Sequence, residues 1–284
     1  MKRYNILHQT TYTFPEVVQL QAHTLRLRPR EGHELRIESS SLNLEPNAIV
    51  RWHRDAEGNS VATANFASGS DRLSIESNIT IQQYDQAPYD FLVSDYAELY
   101  PFDYQEEDKI ILTPYLRGPG NASDNLLSKW VGDIWRPGEK IQTYSLLKRL
   151  NERTHQALSY QLREEPGVQT PDQSLSSGAG SCRDSANLFM AAAQLLGLAS
   201  RFVSGYIYSP PPTAPRGSTH AWAEVFLPGA GWKGFDPTTG HIVGADHIAV
   251  AVARLPESVP PVSGTYIGAP GANMSVGVWV TDLG

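Results

Sequence analysis

The sequence predicts an α+β chain in which an N-terminal antiparallel β-sandwich is followed by a core built from a buried helix packed on an antiparallel sheet. Three observations predict it. Residues 1 to about 85 form a series of short period-two runs separated by turn signals, the pattern of sandwich strands. Residues 182–196 are apolar nearly all round, as a helix buried on every side must be. Residues 219–236 alternate, turn at 228–231 and return, as a hairpin does. The expected division is a β-rich domain over 1–105 and a second domain over 106–284.

Composition bounds the function. A chain of 284 residues can hold two moderate cores. With 40% hydrophobic and 19% charged residues, long disorder is not expected. The net charge of -7 argues against a nucleic-acid or anionic-membrane partner. No apolar run reaches the length of a membrane span, and the opening MKRYNILHQTTYTF lacks the apolar stretch of a signal peptide. With one free thiol, the cytoplasm is the expected address.

In chain order, alternating runs at 6–14, 24–28, 35–44, 49–53, 61–66 and 73–84 predict the sandwich strands, with turns at 29–32 and 55–59. Arg26, Arg28 and Arg30 fall on one face of a strand, where a solvated row is expected in preference to an anion site. The aromatic, acidic and proline-bearing stretch 86–120 is expected to cross between the two parts and pack on both, because its rings are costly to expose. Helical spacing follows at 121–134 and 141–158, divided by Pro137-Gly138. His155, on the second of these, is expected to be structural or exposed. Residues 164–181 read as a loop, 201–208 as a strand, and 209–218, with four prolines, as a surface loop bordering a cleft. Runs at 247–253 and 274–280 are expected to complete the sheet.

Cys182 is the only cysteine, so a disulfide within the chain is excluded and a cysteine-based metal site is not expected. Ser181 can cap the helix, with Asp184 in the capping-box position, and Gly197 can end it. That puts Cys182 in the first turn, where unpaired N–H groups and the positive end of the macrodipole favour a reactive thiolate. A solitary cysteine is also commonly an inert buried side chain. Its partners decide the matter.

If Phe226 lies opposite Trp232 in the hairpin, Trp222 lies opposite Asp236. His220 and Asp236 are then diagonal neighbours on one sheet face, with backbones roughly 7–8 Å apart. A slip of one residue would separate them. Cysteine, histidine and aspartate are the parts of an acyl-transfer site: a thiolate attacks a carbonyl, an imidazole moves the proton, and a carboxylate orients the imidazole. Backbone N–H groups at the helix start are candidate donors to the oxyanion, with Gln173 as a candidate side-chain donor. Tyr160 is a candidate to line the site. Trp222 either walls it or packs beneath it. Arg183 either braces the preceding loop or meets a substrate carboxylate, Asp184 is a helix cap, and Glu224 is expected to be solvated. His247 is an unlikely base, since His220 already has a carboxylate.

The stretches GAGSCRDSANLFMAAAQLLGLASRFVSGY and THAWAEVFLPGAGWKGFDPTTG resemble the core motifs of the bacterial transglutaminase-like family. YNILHQTTYTF, AHTLRLRPR and AEGN resemble the β-rich region that precedes that core in one bacterial branch. The resemblance implies a papain-like core with Cys182 as nucleophile, His220 as base and Asp236 as its orienting partner. It also implies a peptide or protein amide as substrate, a thioester intermediate, and water or an amine as acceptor. No cofactor or metal is called for. The chain lacks the extra domains and any convincing calcium loop of the animal transglutaminases, so protease, amidase and transamidation activities stay open. The rival from another class is a catalytically silent module that binds a protein partner through its sandwich and aromatic linker.

Overall fold

The computed structural model describes residues 1–284 apart from 85–88, 118–124, 164 and 211–218. Most of the predicted proline-rich loop 209–218 therefore lies outside the described residues. The chain opens with five antiparallel strands: β1 (Lys2–Leu25), β2 (Leu35–Glu45), β3 (Ala48–Arg54), β4 (Ser60–Phe66) and β5 (Ser70–Gln83). β1 is 24 residues long and serves two sheets. Its first half pairs with β5, the register breaks between Thr13 and Val18, and its second half pairs with β4. Strand twist makes a single flat sheet of that length unfavourable, so β1 bends and closes the sandwich on itself. Phe14, Val18, Leu20, Leu25, Leu73 and Ile75 fill its interior.

The predicted strand at 24–28 is a departure. β1 stops at Leu25, Leu27 is buried, and the arginine row is no solvated sheet face. Arg30 turns inward and donates to the Glu57 carbonyl and to Asn59 Oδ1 at 3.0 and 2.6 Å.

The crossing segment carries β6 (Leu99–Tyr100) and α1 (Glu106–Leu112), then leads to α2 (Asn125–Gly132), β7 (Ile141–Gln142) and α3 (Thr143–Ala157). Its tyrosines fasten it to both parts, as expected of buried rings with a polar tip. Tyr100 donates to Leu196 O at 2.7 Å, Tyr104 to Phe226 O at 2.9 Å, and Tyr115 to the Glu57 carboxylate at 2.7 Å.

Then come β8 (Ser159–Tyr160), α4 (Pro171–Ser177), β9 (Ala179–Gly180) and α5 (Cys182–Leu195). α4 corrects the expected loop at 164–181. Thr170 accepts from Gln173 N–H, Gln173 returns its side chain to Thr170 N–H, Pro171 starts the helix and Gly178 ends it at φ 64°. A helix of 7 residues has too few apolar positions to show a period, but its ends carry strong stop and start chemistry.

The second sheet comprises β10 (Ser200–Ile207), β11 (His220–Leu227), β12 (Gly231–Asp236), β13 (His241–Ile242) and β14 (His247–Ala253), in the order β13-β12-β11-β10-β14. α5 lies across β10 and β11, burying Leu188, Phe189, Ala192 and Ala193 against Ala221, Ala223, Val225 and Phe235. Phe189 stacks on Phe235 with centroids 5.3 Å apart.

The last two strands, β15 (Val262–Ile267) and β16 (Asn273–Asp282), pair with β1 on opposite halves of the sandwich. Both therefore extend the sheet of β1, although they lie within 106–284. β14 completes the core sheet, whereas 274–280 completes the N-terminal one. An alternating strand states that it has two faces and leaves open which sheet it joins. The two parts also share a buried cluster, with Tyr4, Ile6, Ile79 and Ile81 on one side and Tyr206, Ile248 and Val250 on the other.

Candidate active site

Cys182 owes its place to the residues on either side. β9 pairs in parallel with β8, and Gly180 is required because a Cβ there would lie 2.9 Å from Asp184 Cβ. Asp184 is fully buried and takes four donors. Its Oδ2 accepts the Ser181 N–H and hydroxyl, both at 2.8 Å, and its Oδ1 accepts Arg163 Nη1 and Gln169 N–H, both at 2.7 Å. Burial would raise its pKa, but the donors from Gln169, Arg163 and Ser181 outweigh burial and hold it below the ordinary carboxylate range. The expected cap is present, and it also ties the loop before α4 to the start of α5. Arg183 completes the tie: its Nη2 donates to Arg163 O and Glu165 O at 3.1 and 3.2 Å. Of its two expected roles, it braces the loop.

The hairpin has the expected register, with Phe226 opposite Trp232 and Ala223 opposite Phe235. His220 and Asp236 therefore share a face, and Nε2 of the ring lies 2.8 Å from Asp236 Oδ2. Cys182 acts on the same ring, after Asp236, as one of the groups that raise its pKa. Burial of His220 favours the neutral ring, but the bonds to Asp236 and Cys182 and their charges override it and raise the pKa to about 10. Asp236 is itself fully buried. Burial would raise its pKa, and the bonds from His220 and His247 hold it far below the carboxylate range. The β12 turn adds donors, with Thr239 Oγ1 on Oδ2 at 2.9 Å and Thr238 N–H on Oδ1 at 3.0 Å. An aspartate that caps its own turn in this way is held by local geometry.

His247 is the residue the sequence sets aside and the structure brings in. Its Nε2 lies 3.1 Å from the same Asp236 Oδ2, and its Nδ1 accepts the Gly244 N–H at 3.4 Å. Its two ring nitrogens are thus taken by Asp236 and by the Gly244 N–H. His220, Asp236 and His247 present donor atoms within 4.8 Å of one another, a set that could hold a metal ion. Here both rings sit at hydrogen-bonding distance from one oxygen, an arrangement that protons complete.

The other candidates divide. Tyr160 is more than half exposed, and partial desolvation of its hydroxyl, followed by the charge of Cys182, raises its pKa. Gln173 accepts the Thr170 N–H on Oε1 at 2.8 Å in the cap of α4; an oxyanion donor would use its Nε2, which that bond does not involve. Trp222 is 1% exposed, with its ring 6.1 Å from that of His220 and 5.3 Å from that of His247. It packs beneath the imidazoles and does not wall a substrate space. Glu224 is not solvated, as it pairs with Arg201 at 2.7 Å. His155 is structural, its Nδ1 2.9 Å from Thr238 O.

Comparison with known proteins gives a consistent result. The bacterial transglutaminase-like N-terminal region matches residues 4–82, and the transglutaminase-like superfamily matches residues 137–237. The uncharacterized protein Rv2569c of Mycobacterium tuberculosis is 25% identical over 92% of this chain and 87% of its own length. The uncharacterized protein ML0607 of Mycobacterium leprae is 23% identical over the full length of both. A crystal structure from Cytophaga hutchinsonii, described as a "Putative Cysteine Protease", superposes with a TM-score of 0.75 at 17% identity, covering 100% of this chain and 91% of the other. At that identity the likeness is one of fold.

Proposed function

We propose that this chain, in which the bacterial transglutaminase-like N-terminal region matches residues 4–82 and the transglutaminase-like superfamily matches residues 137–237, is a cysteine-dependent acyl-transfer enzyme acting on peptide or peptide-like amides through a thioester. One observation supports the proposal above the others: His220 Nε2 lies 2.8 Å from Asp236 Oδ2, and the His220 pKa is raised by Asp236 and by Cys182.

The chemistry follows from that arrangement. The raised pKa of His220 keeps the ring protonated at neutral pH, so it holds the proton that the leaving group needs. The thiolate attacks the amide carbonyl, and the N–H groups of Cys182 and Arg183 at the start of α5, which a helix leaves without an acceptor, serve the developing oxyanion. His220 gives its proton to the departing amine, leaving an acyl group on sulfur. Water or a primary amine then adds to the thioester while neutral His220 takes its proton, and the thiolate leaves to restore the ion pair. Asp236 holds the ring's tautomer and orientation.

Iodoacetamide should alkylate Cys182 at pH 7 much faster than a free model thiol, and the His220→Ala protein should lose that advantage. A peptide library presented with and without a primary amine separates hydrolysis from transfer. If Cys182→Ala did everything the parent does, the binding-module reading would replace this one.

A further inference from the structure

β14 is one of the two edge strands of the core sheet, with β10 its only ladder partner among the described residues. An edge strand leaves a row of N–H and C=O groups unpaired. Here the N-terminal region takes them. Ala249 O accepts the Arg30 N–H at 2.9 Å. Val252 donates its N–H to Asn59 Oδ1 and accepts Asn59 Nδ2, both at 2.8 Å. The Asn59 primary amide thus stands in for the peptide group of a neighbouring strand. It is fully buried, and its remaining capacity is taken by Arg30 on Oδ1 and by Asp55, which accepts Nδ2 at 3.0 Å. At the other end of β14, Asp246 accepts Lys2 Nζ at 2.7 Å and the Tyr4 hydroxyl at 2.9 Å. Asp246 immediately precedes His247, the ring that donates to Asp236.

We propose that His247 is a positioning residue that fixes the Asp236 carboxylate for His220, and that the N-terminal β region serves the site by bracing the strand that carries it. This rests on the acyl-transfer reading above. The geometry supports it at both ends of the relay. A carboxylate with a single imidazole partner can rotate, whereas Oδ2 held by His220, His247 and Thr239 cannot turn without breaking three bonds. The ring of His247 is itself oriented by Gly244 N–H behind it and Trp222 packed edge-on against it. The bracing contacts come from β1, from the loop after β1 and from the turn before β4, three separate parts of the N-terminal region.

The test uses the full chain and iodoacetamide as the probe, reading the second-order rate of Cys182 alkylation at pH 7 beside the thermal midpoint. His247→Phe keeps the bulk and removes the donor, and the expected rate falls roughly 10- to 100-fold. His247→Gln restores an N–H near the position of Nε2, and its rate is expected within about threefold of the parent, a rescue that a merely structural role for the ring would not produce. Asn59→Ala is expected to lower the rate several-fold while circular dichroism stays that of the parent. Lys2→Ala with Tyr4→Phe gives a milder variant with the same expected direction should Asn59→Ala fail to fold. A His247→Phe protein as reactive as the parent, while His220→Ala is slow, overturns this proposal and leaves the acyl-transfer reading standing. A parent no more reactive than a free thiol overturns both. Parent-like rates in both N-terminal variants overturn the bracing role.

Discussion

The His220 pKa is raised by Asp236 and by Cys182, and the direction of its titration has a consequence for stability. The folded protein holds this proton more tightly than the unfolded chain, in which a histidine titrates near pH 6.5. The resulting contribution is complete below about pH 6.5, shrinks as pH rises, and is gone once pH passes the folded-state value of about 10. The His220→Asn protein should therefore show a deficit in urea unfolding that is largest at about pH 6 and narrows towards pH 10. A deficit that grows over that range would contradict the arrangement. Asp236→Asn exchanges an acceptor-only oxygen pair for an amide and disturbs both imidazoles; turnover on a peptide that the parent accepts should fall roughly 10³- to 10⁴-fold. At this scale Cys182, His220 and Asp236 were legible because each residue type implies its chemistry. His247 was not, because a shared carboxylate oxygen is a matter of distance that no spacing along the chain encodes.

Helix starts and strand registers set where these side chains meet. α4 is held at its N-terminus by the Thr170–Gln173 box, so Thr170→Ala should lower stability by about 1 kcal/mol in urea unfolding. The same protein should alkylate at the parent's rate, since the Thr170–Gln173 bonds serve the cap of α4. Gly205 in β10 is a stricter position: a Cβ there would lie 2.3 Å from Ile248 O and 2.6 Å from the Trp222 ring. Gly205→Ala should lower stability by roughly 1–3 kcal/mol and loosen the floor beneath both imidazoles. The apolar helix α5 and the β11–β12 hairpin were readable from period and turn signals, down to the pairing of Phe226 with Trp232. α4 escaped because its evidence lay in its caps and a short element has almost no period to show.

For the molecule as a whole, the N-terminal sandwich is part of the core's support. The shared cluster around Tyr4, Ile81, Tyr206 and Ile248 is buried from both sides, and β15 and β16 have β1 as their partner. A fragment of residues 106–284 would expose that apolar face and leave two strands without a sheet. It should be insoluble or unfolded by size-exclusion chromatography and circular dichroism, and a monomeric, cooperatively melting fragment would show that the core stands alone.

The sequence by itself determined the fold class, the buried helix with its thiol in the first turn, and the face shared by His220 and Asp236. All three follow from local rules of period, capping and pleat that act over a few residues. Tertiary structure alone decided that β15 and β16 return to β1, that Asn59 closes the edge of β14, and that His247 meets Asp236. Each of these joins residues far apart in the chain, and an amphipathic strand or a polar side chain specifies the kind of partner it needs without specifying which one it will find.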